Sequence, residues 1–104
     1  MDKEKHKAFL NALRKMSKKG FYETLEFIYE KESVHYSDIL KFSVDNQIVQ
    51  SRATVTLIVR GLLKLNLIKR TVMDSRPIRT IYEPTEKGSE LFRHLREIET
   101  TLQK

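Results

Sequence analysis

The sequence predicts a small α+β domain, mostly helical, with five helices and one β-hairpin. Three observations predict it. Apolar residues recur at helical spacing in separate stretches along the chain. Two runs rich in β-branched and aromatic side chains, 68–73 and 78–83, flank a segment with turn chemistry. The length of 104 residues suits a single hydrophobic core and not two, so one domain is expected over 1–104.

Residues 3–18 place Phe9, Leu13 and Met16 on one stripe with Ala12 beside it, and predict the first helix. Gly20 is the expected break. A second helix is expected over 21–31, with Phe21, Leu25, Ile28 and Tyr29 facing inward and Glu23, Glu26 and Glu30 facing out. Val34 and His35 read as a very short strand. Ser37 is a good N-cap for a third helix beginning at Asp38, whose charge suits a first helical turn. That helix is expected to end somewhere in 42–47.

Ser51 is the expected cap of a fourth helix over 51–65. At roughly 100° per residue, Val55, Val59 and Leu62 fall within about 60° of one another and form its core stripe. Ile58 and Leu65 lie on the flank. Asn66 suits the left-handed position that ends a helix. In the segment after the first strand run, Asp74-Ser75-Arg76-Pro77 is turn-forming. Pro84 ends the second run because proline has no amide proton for a strand ladder. Thr85 caps the last helix, where Leu91, Leu95, Ile98 and Leu102 are spaced four, three and four, a narrow stripe of coiled-coil type.

Charge narrows the partner. The net charge is +6 and the pI about 9.7, which points to an anionic partner. Residues 1–20 hold seven Lys/Arg and two acids, and 51–84 hold seven and two, whereas 21–50 hold two and six. Positive charge is therefore gathered at the first helix and in the 51–84 stretch. With no cysteine, disulfide scaffolds, thiolate metal sites and cysteine nucleophiles are excluded. The start MDKEKHKAFL lacks the apolar run of a signal peptide, and no stretch approaches the roughly 18 apolar residues of a membrane span. A cytoplasmic, nucleoid-associated protein with no membrane partner is expected. His6, His35 and His94 lack metal-ligand spacing, so neither metal nor other cofactor is expected. Three glycines cannot make a phosphate-cradling loop, and no serine has a marked base and orienting acid, so no enzyme is expected.

The residues carry a resemblance. SRATVTLIVRGLLKLNLIKR, 51–70, resembles a pattern in which a capping serine leads a Thr-Val-Thr turn, then an apolar-spaced helix, a small turn residue, and Leu-Ile followed by basic residues. SRPIRTIYEPTEKG, 75–88, resembles the wing and exit of transcriptional regulators of the HxlR and MarR type, through Pro77, Arg79, Tyr82, Thr85 and Gly88. In overall style the chain resembles small archaeal regulators of this superfamily. The resemblance spans about residues 19–92 and implies a winged helix-turn-helix with a two-stranded β-hairpin wing. Residues 1–18 and 85–104 would be extra terminal helices around the 19–84 core. The chain departs from the pattern at Pro84, where leucine is usual, at Asn66, where glycine is usual, and in 43–50, which is longer than a tight helix-turn-helix turn.

What the resemblance implies is a sequence-specific transcriptional regulator that binds double-stranded DNA. The fourth helix would enter the major groove and the wing, 69–82, would lie on the backbone or in the minor groove. On the face opposite the core stripe stand Ala53, Leu57, Arg60, Gly61 and Lys64, with Thr56 at its edge and Arg52 and Thr54 in the first turn, after Ser51. Arg52 and Arg60 are candidates for guanine, Ala53 and Leu57 for thymine methyls, and Thr54 and Thr56 for a base edge, a phosphate or local backbone. In the wing, Arg76 and Arg79 are favoured for phosphate or minor groove, and Lys69 and Arg70 are further candidates or a strand's solvated face. Ser37 with the amides of the third helix suits a phosphate; Tyr36 either donates to it or packs in the core. The lysines of the first helix, Lys3, Lys5, Lys7, Lys15, Lys18 and Lys19, would either add phosphate contacts or form its solvated face.

Phe9, Leu13 and Met16 with Leu91, Leu95, Ile98 and Leu102 are expected to build a homodimer, the alternative being that both terminal helices fold onto their own core. A small-molecule effector between dimer helices finds little room in so short a chain. Two other readings stay open. One is a winged-helix protein-interaction module, for which Leu57 and the acidic 21–50 block speak. The other is a sequence-neutral, chromatin-type DNA-binding protein.

Overall fold

The computed structural model describes residues 3–48, 51–74 and 76–104, with the side chain of Lys3 left aside. Ser75 of the expected turn, and Val49 and Gln50 of the segment before the fourth helix, lie outside the described residues. The chain order is α1 (Lys3–Met16), α2 (Phe21–Lys31), β1 (Val34–His35), α3 (Tyr36–Asp45), α4 (Arg52–Lys64), β2 (Ile68–Met73), β3 (Arg79–Pro84) and α5 (Glu86–Leu102). Every expected element is present, with small shifts at its ends. Among the described residues no helix is long and apolar enough to cross a membrane.

The β-hairpin pairs antiparallel from Ile68 opposite Pro84 to Met73 opposite Arg79. It does not stand alone. β1 adds to its other edge, with Val34 opposite Tyr82 and His35 opposite Ile81, giving a three-stranded sheet in the order β1-β3-β2. Pro84 is the last residue of β3 rather than the residue beyond it, at a strand end where a missing amide proton is tolerated.

One cap differs from expectation. The residue before α3 is His35, not Ser37. Asp38 stands at the third helical position, and its carboxylate Oδ2 accepts the His35 amide at 2.9 Å. Pairing of His35 with β3 holds its backbone extended, so the chain turns into the helix immediately after the strand. The same histidine donates from Nδ1 to the Thr80 carbonyl at 3.2 Å. Ser37 is left in the first turn, exposed to solvent.

Helices α3 and α4 end in the same way. After α3, Gln47 takes φ 55°, its amide bonds the Val44 carbonyl at 3.0 Å, and the Ile48 amide bonds that of Ser43 at 2.9 Å. After α4, Asn66 takes φ 60°, its amide bonds Leu63 at 3.0 Å, and the Leu67 amide bonds Leu62 at 3.0 Å. This is the paired bonding of a Schellman cap, which satisfies the last carbonyls and buries the following apolar residue, here Ile48 and Leu67.

The core lies where α2, α3, α4 and α5 meet the sheet. Leu25, Ile28, Ile39, Leu62 and Phe92 are fully enclosed, with Val55, Leu67 and Ile68 nearly so. Phe92 of α5 is held by Tyr22 and Tyr29 of α2 at ring-centroid distances of 5.6 and 4.8 Å. The start of α5 docks on the α4–β2 turn. Thr85 Oγ1 donates to the Asn66 carbonyl at 2.7 Å and accepts the Gly88 amide at 2.9 Å, while the Thr85 amide bonds the Leu67 carbonyl at 3.0 Å. A Cβ on residue 88 would overlap that carbonyl oxygen, so only glycine fits.

A compact chain of this length has a radius of gyration of about 13 Å. This one has 14.7 Å, with extents of 52 × 28 × 23 Å. The excess fits the exposure of α1 and the far end of α5. Phe9 is 59% exposed and Ile98 53%, though both are large and apolar.

Candidate nucleic-acid interface

The inner side of α4 is committed to the core through Val55, Ile58, Val59 and Leu62. That commitment fixes what points outward. Arg52, Ala53, Thr54, Leu57, Arg60 and Lys64 are all exposed, and Leu57 keeps 66% of its surface while Ile58 beside it keeps 8%. The helical wheel and the fold agree on this division except at Gly61, which the wheel sets on the outer face and the fold half-buries beside Phe21. No carboxylate occurs from Ser51 to Met73, so the exposed face of α4 and the outgoing strand carry positive charge alone.

The first turn of α4 is built by three hydroxyls and a phenol. Ser51 Oγ accepts the Thr54 amide at 3.2 Å, and its hydroxyl lies 2.9 Å from that of Thr54. Tyr36, at the start of α3, donates to the Arg52 carbonyl at 3.2 Å and sits 2.8 Å from Thr56 Oγ1. A phenol has one proton. With that proton on the Arg52 carbonyl, Thr56 is the donor to Tyr36. Tyr36 is half-buried, and its hydroxyl fastens α3 to α4. Thr56 is half-buried beside it.

The wing presents Lys69, Arg70, Arg76 and Arg79 to solvent. The register separates them. Lys69 stands opposite Glu83 on one sheet face, where an opposite charge offsets it. Arg70 stands opposite Tyr82 and Arg79 opposite Met73, away from any paired acid in the hairpin. A cleft lined by His35, Tyr36, Ser37, Arg79 and Thr80 joins the wing to the start of α3. Ser37, the α3 N-terminus and Arg79 thus share one concave surface, which the sequence order alone does not show.

The residues expected to dimerise divide. Leu91 and Leu95 are half-buried against the core, as is Met16. Phe9, Leu13, Ile98 and Leu102 are exposed. A largely apolar cleft runs between α1 and α5, lined by Leu13, Met16, Tyr22, Leu95, Ile98 and Leu102 among others. At its floor, burial pushes the Tyr22 hydroxyl above its ordinary value, with Glu99 and Glu26 adding to the shift. Sequence reasoning missed Arg96, which ties α5 to α2. Its guanidinium lies 3.0 Å from Glu30 and 3.9 Å from Glu26, over the ring of Phe92. The signal was present as three charges on two helices, but their meeting depends on how the helices pack.

No family model matches the chain, and no curated protein matches it either. Solved structures do. A regulator of the MarR family from Enterococcus faecalis superposes with a TM-score of 0.74 at 18% identity, over 99% of this chain and 91% of that one. The reduced form of the transcriptional regulator YodB from Bacillus subtilis gives 0.73 at 18% identity, over 96% and 89%. A PadR-like transcription factor from Bacteroides fragilis gives 0.72 at 20% identity, over 92% of each chain.

The fold is the winged helix.

Identities this low establish shape alone. The winged helix assigns α3 and α4 to the helix-turn-helix and β2–β3 to the wing, the arrangement expected from 51–70 and 75–88. The third strand, β1, completes the sheet on which the wing stands.

Proposed function

We propose that this chain is a homodimeric, sequence-specific transcriptional regulator that binds double-stranded DNA. The observation that carries the reading is the outer face of α4: exposed, free of carboxylates, and held in place by a buried inner face. Arg52 and Arg60 suit the paired acceptors of guanine, and Ala53 and Leu57 suit thymine methyls. Lys64 on that face and Thr54 in the first turn suit phosphates. Thr56 acts through Tyr36, positioning the helix. Arg79 shares a cleft with Ser37 and the start of α3, which suits a backbone phosphate, and Arg76 would meet the backbone or the minor groove. The solved relatives described as transcriptional regulators share the fold, which supports the reading.

The exposed apolar faces of α1 and α5 support a dimer. A two-fold axis through them would set two α4 helices about 34–36 Å apart, one turn of DNA. Selection of bound duplexes from a random pool at physiological salt tests the whole reading. A palindromic consensus is the expected result. Failure to retain any duplex even in low salt would overturn it, and equal retention of all sequences would leave a sequence-neutral coating protein instead.

A second reading draws on the single exposed leucine of α4. If the domain binds a protein through Leu57, Leu57→Asp would abolish that complex while Arg52→Ala and Arg60→Ala would leave it intact.

A further inference from the structure

Beside the outer face of α4 lies a cleft of about 330 Å³, between that helix and the turn joining α1 to α2. Its floor is apolar: Phe21 and Ile58, both buried, with Leu57 and the bare backbone of Gly61. Its rim carries Lys15, Lys18 and Lys19, and no carboxylate lines it among the described residues. An apolar floor under a single-sign rim is the complement of an apolar body with an anionic head.

Gly61 adds an independent observation. It stands in the interior of a helix, where glycine is unfavourable relative to alanine. The fold does not demand it, since a Cβ there would meet only Phe21 Cε2, at an ordinary 3.6 Å. What the missing methyl provides is depth in the cleft.

We propose that this cleft binds a small amphipathic carboxylate of the fatty-acid type, its chain over Phe21, Ile58 and Gly61 and its head among the three lysines. Leu57 and Thr54 line the same cleft and belong to the surface assigned to DNA. A ligand seated there and a duplex therefore exclude one another. This consequence rests on the DNA-binding reading; ligand binding itself does not.

The test is titration of the free protein with decanoate, decanol and decylammonium, followed by isothermal calorimetry. Decanoate is expected to saturate one site per chain, at least tenfold more tightly than decanol, with decylammonium weakest. Gly61→Leu should fill the cleft and weaken decanoate at least tenfold while thermal unfolding stays cooperative. Lys18→Glu with Lys19→Glu should erase the preference for decanoate over decanol. Equal affinity for decanoate and decanol, or a Gly61→Leu protein that is folded and binds decanoate unchanged, would overturn the proposal. In a second arm, saturating decanoate should lower duplex affinity in the parent protein and not in Gly61→Leu. Decanoate binding that leaves duplex affinity unchanged would overturn the exclusion. Decanoate binding by a protein that holds no duplex at all would instead sink the DNA-binding reading and leave the site standing.

Discussion

The hydroxyls of Tyr36 and Thr56 lie 2.8 Å apart and join the first turn of α3 to α4. Because Tyr36 also donates to the Arg52 carbonyl at 3.2 Å, one side chain sets the height of the α4 N-terminus over the fold. Tyr36→Phe removes both bonds and keeps the ring. It should cost about 0.5–1.5 kcal/mol in urea unfolding. A double-mutant cycle with Thr56→Val isolates the pair. Coupling indistinguishable from zero would show that the contact contributes nothing to stability.

Gly88 packs directly against backbone. Any Cβ there meets the Leu67 carbonyl oxygen, which already receives the Thr85 amide. Gly88→Ala must push α5 off the α4–β2 turn, and about 1–3 kcal/mol of stability should be lost, as for other overpacked sites. Thr85→Ala removes the cap at the same junction and should lose about 1 kcal/mol. A Gly88→Ala protein as stable as the parent would mean that the junction yields without strain.

Glu26 gives a pH signature. Burial first, then the charge of Glu30, raises its carboxyl above the ordinary 4.5, while Arg96 pulls it back. A raised carboxyl pKa means that the folded state holds the proton more tightly than the unfolded state. Its contribution is therefore neutral below 4.5, and stability is lost as the pH rises through the folded-state value. Glu26→Gln should be at least as stable as the parent at neutral pH, with any advantage vanishing as the pH falls through 4.5. A variant that is less stable at neutral pH would show that the Arg96 contact outweighs the burial.

On the proposed DNA-binding reading, the arginines divide between those that would read bases and those that would hold the backbone. Arg52→Ala or Arg60→Ala should relax sequence preference, each worth roughly 1–3 kcal/mol of discrimination at its base pair. Arg76→Ala should weaken all duplexes alike and reduce the slope of log K against log salt by about 0.9. A uniform loss with Arg60→Ala, and no change in preference, would move Arg60 from base to backbone.

How much was legible in the sequence varies with how local each signal is. The limits of α4 were readable because Ser51 and Asn66 act on neighbouring backbone groups. The face of α4 was readable because helical geometry is the same everywhere, so Leu57 and Ile58 could be told apart on a wheel. The start of α3 was not. Ser37 is the better cap by residue type, yet His35 holds the position because it pairs with Ile81 of β3, far along the chain. The short strand at Val34 and His35 was readable, but its place on the edge of β3 was not, since that pairing depends on a neighbour distant in sequence. Tyr36 had two readings open, donor or core, and its contacts with the Arg52 carbonyl and the Thr56 hydroxyl come only from the packing of α3 on α4.

The sequence by itself determined the order of elements, the core stripe of each helix, and the concentration of positive charge without carboxylates between Ser51 and Met73. These follow from spacing and from chemistry acting within a few residues. Only the tertiary structure decided which groups meet across long separations. It set Arg96 against Glu26 and Glu30, Arg79 beside Ser37, and the lysines of the α1–α2 turn beside Gly61 and Leu57. Such meetings depend on how whole helices pack, and packing is decided by the entire buried surface at once.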